Sequence, residues 1–240
     1  MADNTDELKE YWQRAYDDQS TRVAVHDVGG NPHTELDIRK SRNQWMLRDF
    51  LQHVQLRPKP IMMELFGRAE SAIEVGCGTG EFILSLLQAT NIRLGLGTDI
   101  SESAIKQAMT LNAAVPEGKD LTWHVGDFLE IALTSQRAHL LIANQVVEHF
   151  RDPAAVVKKL QELAEYILII TPYKELVSEP SSDIIDGSDN HVVSIDESTY
   201  TDFNVIEDMV FFSKEGWGVS RKGECPLQYV VLIKGSMEEE

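Results

Sequence analysis

The chain has 240 residues, 42% of them hydrophobic, and carries a formal net charge of -17 from 39 acidic and 22 basic side chains. That length and apolar share suffice for one α/β domain with additions, and so acidic a chain repels a phosphate backbone, which disfavours a nucleic-acid partner. No apolar run approaches the roughly 20 residues of a membrane span, and the acidic start Met1-Ala2-Asp3-Asn4-Thr5-Asp6-Glu7 is the reverse of a secretion signal, so a cytoplasmic protein is expected, with Cys77 and Cys225 as reduced thiols.

Residues 5–15 read as a helix with Leu8, Trp12 and Ala15 on one side, and Ser41 caps another in which Met46, Phe50, Leu51 and Val54 recur at helical spacing. Residues 17–40 between them are irregular and polar. Pro58 and Pro60 end the second helix, and a short apolar helix near Met62–Phe66 completes an N-terminal helical extension, residues 1–70, to a domain over 71–240. Strands are expected near 71–75, 92–98, 121–125, 138–144 and 165–171, alternating with helices, a pattern that implies a parallel sheet with right-handed crossovers. Ser101 caps the helix that buries Ile105, Ala108 and Met109, and Asp152-Pro153 opens one whose Val156, Val157, Leu160 and Leu163 face inward. A long polar stretch follows Pro172 to about Ser194, then a short helix, and strands near 205–212 and 227–234 form an antiparallel pair. Between Glu175 and Ser213 there are ten carboxylates and no Lys or Arg, which reads as a solvated acidic face.

The chemistry is concentrated where Ile73-Glu74-Val75 breaks into Gly76-Cys77-Gly78-Thr79-Gly80-Glu81 and a helix begins. Glycines at alternate positions let the backbone turn tightly and approach a ligand, and the following helix aims free N–H groups at the same place. Asp99, 19 residues past Gly80 at the tip of the second strand, is where a ribose diol would be gripped. A dinucleotide site needs a third glycine where this chain has Glu81, a carboxylate that would repel pyrophosphate. A nucleoside-like cofactor without phosphate fits better than NAD.

Glu74-Val75-Gly76-Cys77-Gly78-Thr79-Gly80 and Gly97-Thr98-Asp99-Ile100-Ser101 resemble the first and second motifs of the class I methyltransferases that use S-adenosyl-L-methionine. The resemblance runs on through Gly126-Asp127-Phe128 and Ala143-Asn144-Gln145-Val146-Val147-Glu148-His149-Phe150, covering residues 71–172 in order. It implies a doubly wound, mostly parallel seven-stranded sheet with a closing antiparallel hairpin, and an N-terminal extension laid over the cofactor cleft as a lid. It also implies a cofactor site of Glu74, Gly76, Cys77, Gly78, Gly80, Asp99, Ile100, Asp127, Phe128 and Asn144. Asp99 is expected on the ribose hydroxyls, Asp127 and the Phe128 backbone on the adenine edge, and Glu74 on the glycine loop or the methionine ammonium.

Displacement of a methyl group from a sulfonium asks the protein mainly to align donor and acceptor and to take the acceptor's proton. His149, just after the fourth strand, is the candidate base, with His191 as the alternative. Gln145-Val146-Val147-Glu148-His149 resembles the E-x-x-E-H run of ubiquinone-pathway O-methyltransferases, where the acids and His are associated with a divalent metal. Gln145 replaces the first acid, and one Glu with one His is a thin ligand set, so no metal is expected. Asp183, Asp186 and Asp189 resemble a calcium loop only loosely. The expected activity is methyl transfer to a small molecule at oxygen, with transfer to nitrogen or a non-catalytic, cofactor-binding partner protein as alternatives.

Overall fold

Alternate residues of the apolar strands face opposite sides of one sheet, and both sides are covered. The computed structural model describes residues 60–128, 137–174, 191–212 and 227–236, with residues 9, 10, 13, 23, 24, 33, 34, 50, 51 and 54. Seven strands form the sheet: β1 (Ser71–Val75), β2 (Leu94–Asp99), β3 (Asp120–Val125), β4 (Ala138–Asn144), β5 (Ala164–Pro172), β6 (Val205–Phe212) and β7 (Leu227–Lys234). Their order is β3-β2-β1-β4-β5-β7-β6. The first five run parallel, and β7 is antiparallel to both β5 and β6. The fold is thus the expected doubly wound sheet with an antiparallel end. Val23–Ala24 and His33–Thr34 pair separately as a short antiparallel ladder.

Helices α1 (Pro60–Arg68), α2 (Glu81–Ala89), α3 (Glu102–Ala108) and α4 (Pro153–Leu160) pack on the faces. Leu140, Ile142, Leu168, Ile170, Val230 and Leu232 join Ile83, Leu86 and Leu87 of α2 in one core cluster. Their neighbours Leu141, Ala143, Ile167, Ile169, Val231 and Ile233 join Val156, Val157 and Leu160 of α4 in the other. Because a strand's side chains alternate, burial on both faces requires the near-continuous apolar runs of β4, β5 and β7. The expected caps are in place: Ser101 Oγ accepts from Ala104 N at 3.2 Å, and Asp152 Oδ1 from Ala155 N at 3.0 Å.

One expected core residue is not in the core. Met109 is 54% exposed while Ile105 and Ala108 are buried. The chain tightens from α3 into a 3-10 segment at Met109–Ala114, and three residues per turn instead of 3.6 rotates Met109 off the apolar stripe. Leu163, also expected on a helix, is buried in the turn between α4 and β5. Pro60, expected to end the preceding helix, opens α1, where its missing N–H costs nothing. The Glu207 carboxylate on β6 caps that helix by accepting from Ile61 N at 3.0 Å and Met62 N at 2.9 Å. From the extension, Phe50 and Val54 are fully buried, with Phe50 edge-on to Phe66 at 5.9 Å between ring centroids. Of the expected helix over 5–15, residues 9, 10 and 13 are helical; Asp183, Asp186, Asp189 and Cys225 lie outside the described residues.

The chain starts the sheet in its middle at β1, works outward to β3, then returns to lay β4 on the other side of β1. That reversal is the topological switch point, and the crevice outside the carboxyl ends of β1 and β4 is where a doubly wound sheet takes a ligand. Two sequence segments meet there: the glycine loop after β1 and the Gln145–His149 turn after β4.

Candidate active site

The glycine loop is held in shape by its own backbone and by two acids. Gly76, Gly78 and Gly80 all have left-handed backbone, with φ of 62°, 53° and 83°, a conformation that a Cβ disfavours. A Cβ on Gly76 would lie 2.6 Å from Val146 Cγ2, so the loop packs directly on the turn after β4. Asp99, buried at the end of β2, accepts from Gly78 N at 2.8 Å through Oδ2 and from Ser101 N at 2.9 Å through Oδ1. One carboxylate therefore ties the glycine loop to the α3 N-terminus, and each oxygen keeps a further lone pair. Glu74 Oε2 accepts from Ile83 N at 3.1 Å, fastening β1 to the start of α2. Glu81, first residue of α2, is buried and accepts from the Thr79 hydroxyl.

On the far side of the crevice, Asn144 ends β4, and Gln145 turns the chain with a φ of 57°. Asn144 Oδ1 is buried without a hydrogen-bond partner among the described residues. Gln145 Nε2 donates to Gln228 Oε1 on β7 at 2.9 Å and to Ile170 O on β5 at 3.3 Å, so this amide is engaged with the sheet end. A 3-10 turn, Val147–His149, then buries Glu148 and His149. His191 comes to them from far along the chain: its ring centroid is 4.9 Å from that of His149, and its Nε2 is 3.9 Å from Glu148 Oε1.

Electrostatics select among ligands for the loop. Burial pushes the Glu74 carboxyl well above the usual carboxylate range, against the pull of the Ile83 N–H, and the charges of Glu81 and Asp99 push it further. Burial likewise raises Asp99 to about 6 although Ser101 and Gly78 donate to it, and raises the Cys77 thiol, with Asp99 and Glu74 adding to the shift. Buried acids of this kind are relieved by a cation and aggravated by a pyrophosphate. S-adenosylmethionine, with its sulfonium and ammonium charges, fits this cradle; NAD does not. A family model described as a methyltransferase domain matches residues 67–201. The chain belongs to that family. It is a class I methyltransferase, and its cofactor is S-adenosylmethionine. No curated protein sequence matches the chain. Among solved structures it is similar to magnesium protoporphyrin IX methyltransferase from Synechocystis PCC 6803 with bound S-adenosylhomocysteine. There the identity is 16%, the match covers 97% of this chain and 100% of that one, and the TM-score is 0.63. It is also similar to the mitomycin 7-O-methyltransferase MmcR, at 14% identity, with 82% and 54% of the two chains covered and a TM-score of 0.54. At these identities the likeness is one of fold.

In the methyltransferase the sequence-expected cofactor residues stand at or just past the carboxyl ends of β1 to β4, held there in different ways. Gly76 and Gly80 meet protein: a Cβ on Gly80 would lie 2.3 Å from Trp123 Cη2, as one on Gly76 would meet Val146. Cys77 is a free, buried thiol whose backbone N–H bonds Thr98 O at 3.0 Å. Ile100 and Asp127 are half-buried just past the ends of β2 and β3. The Phe128 ring packs edge-on to Phe150 at 5.9 Å, inside the second core cluster.

Trp123, Tyr200 and Gln228 were not marked by the motifs. Trp123 lies over Gly80 and Gly97, and a Cβ on Gly97 would meet its ring at 2.5 Å. The signal was present in β2, where two glycines inside one strand announce a close approach. Gln228 is a fully buried amide near the start of β7, whose Val230, Val231, Leu232 and Ile233 are apolar, and a buried polar residue asks for a partner.

Proposed function

We propose that this methyltransferase transfers the methyl group to an oxygen of a small molecule, with the Glu148–His149–His191 group on the acceptor side of the crevice. When bound, S-adenosylmethionine supplies a sulfonium methyl group that an acceptor oxygen displaces from sulfur, leaving S-adenosylhomocysteine and a proton. The single observation that carries the reading is the convergence of two buried imidazoles and a buried carboxylate on the turn whose Val146 touches Gly76. That group stands beside the cofactor loop and has the chemistry to draw a proton from a hydroxyl. Asp99 fits the role of ribose acceptor, Glu74 that of loop anchor, and Asn144 Oδ1 that of an acceptor for a cofactor or substrate N–H or O–H.

The lid role of residues 1–70 is supported by Gln13, whose Oε1 accepts from Glu102 N at 2.9 Å while Nε2 donates to Ser103 Oγ at 3.2 Å. This amide caps α3 a few residues beyond Asp99, which brings the extension to the edge of the cofactor loop.

Transfer of labelled methyl to a panel of hydroxyl-bearing and amine-bearing small molecules tests the reading, with bulk RNA and protein as further acceptors. Label is expected in small hydroxyl compounds. Label found in amines, RNA or protein with none in hydroxyl compounds would refute transfer to oxygen.

Cofactor affinity is expected to depend on pH through Asp99. For the ligand-free fold, an acid raised to about 6 from an unfolded value near 4 contributes stability at low pH that is lost as pH rises through 6. Binding has the opposite sign, since the ionised carboxylate is the acceptor for ribose hydroxyls. The dissociation constant for S-adenosylhomocysteine should be level above about pH 7 and rise below about 6, by up to tenfold per unit. Calorimetry across that range checks it, and Asp99→Asn should flatten the profile.

A further inference from the structure

We propose that Gln145 and Gln228 select the methyl acceptor, by holding an uncharged carboxamide or lactam edge of the small molecule whose oxygen is methylated. The inference rests on the reading of the reaction as transfer to oxygen of a small molecule, and names the class of molecule.

The two amides are fixed end to end. Gln145 Nε2 donates to Ile170 O at 3.3 Å, so turning that amide over would set its oxygen against a carbonyl oxygen. The same nitrogen donates to Gln228 Oε1 at 2.9 Å, which fixes the second amide in turn. What remains is one acceptor, Gln145 Oε1, and one donor, Gln228 Nε2. Both atoms are buried without a hydrogen-bond partner among the described residues, and Gln228 as a whole is fully buried. Amide ends left dry and unpaired destabilise the empty protein. The left-handed backbone of Gln145, with a φ of 57°, adds strain at the same place. Unpaired groups and strained backbone gather where a ligand relieves them.

The pair stands on the acceptor side. Gln145 precedes Val146, which packs on Gly76 of the cofactor loop, and the same turn leads to His149. Gln228 stands opposite Phe211 in the register of β7 and β6, and the Phe211 ring centroid is 6.3 Å from that of Phe50 in the N-terminal extension. The two amides thus link the turn beside the cofactor loop to the strand pair on which the extension packs.

Chemistry names the partner. An amide is about 2.2 Å across from oxygen to nitrogen. With the two joined at 2.9 Å, their free ends are at most about 7 Å apart, a gap that one amide edge spans with a hydrogen bond at each end. A carboxamide or lactam brings the N–H that Gln145 Oε1 lacks and the C=O that Gln228 Nε2 lacks. A carboxylate offers Gln145 no donor, and an ammonium offers Gln228 no acceptor. Either would also bring a charge that two neutral amides cannot balance.

The test measures label transfer by the full chain to ortho-, meta- and para-hydroxybenzamide and to the matching hydroxybenzoates. Each pair shares its phenol and differs in amide against carboxylate. For at least one pair, kcat/KM should favour the amide by about a hundredfold or more, because a site built for hydrogen bonds rejects the analogue that leaves them unmade. Gln228→Met keeps the length of the side chain and removes the donor. It should raise KM for that hydroxybenzamide by about tenfold or more and hold kcat within about threefold, since the contact is the same before and during transfer. A role confined to the fold would lower the thermal midpoint and the affinity for S-adenosylhomocysteine, and neither should fall. The parent's own preference decides the matter should Gln228→Met fail to fold. Hydroxybenzoates accepted as readily as the amides, an unchanged KM in the folded variant, or no transfer to any hydroxybenzamide while other hydroxyl compounds take label would each overturn the amide assignment and leave transfer to oxygen standing. No label in any hydroxyl compound would sink the reading on which the assignment rests.

Discussion

Asp99→Ala is expected to weaken S-adenosylhomocysteine binding by tenfold or more. Hydrogen bonds to a charged acceptor are each worth about 1.5 to 3 kcal/mol, and tenfold corresponds to about 1.4 kcal/mol, so the loss of one ribose contact suffices. The substitution also strands Gly78 N and Ser101 N, which Asp99 now joins. Both donors belong to the segments that follow β1 and β2, and the apolar core of the sheet is untouched. Circular dichroism should stay native. An affinity equal to that of the parent would mean that the ribose is held elsewhere.

His149→Ala is expected to lower turnover by about a hundredfold, at the lower end of what proton transfer by a positioned group contributes. The effect should fall on turnover, because His149 touches the acceptor-side group and none of the hydrogen bonds of the glycine loop. Affinity for S-adenosylhomocysteine, measured in parallel, should stay within about twofold of the parent. A variant that binds the product normally and turns over at the parent's rate would remove His149 from the reaction.

What could be read from the sequence was what depends on local spacing. β1 and β4 stand where their apolar runs put them, Ser101 and Asp152 cap the helices they precede, and the glycine loop ends β1 as its pattern requires. The parallel, doubly wound arrangement followed from the alternation of strands and helices, which have few ways to be arranged. Contacts between distant segments were not legible. His191 follows His149 by 42 positions in the chain yet packs against it; it was marked as the alternative base, but local spacing around Asn190 could not give that contact. Gln145 was read as a missing acid, whereas its amide is half of a pair with Gln228 on a strand joined to β5. Met109 failed for a different reason: its spacing fits an α-helix, and the helix had already tightened into a 3-10 turn.

The most direct measurement is calorimetric titration of the full chain with S-adenosylhomocysteine and, separately, with NAD. A glycine loop flanked in sequence by the buried acids Glu74 and Glu81, and tied by Asp99 between Gly78 and Ser101, should take one equivalent of S-adenosylhomocysteine and show no heat with NAD. NAD bound as tightly as S-adenosylhomocysteine, or neither bound, would contradict the account at its centre.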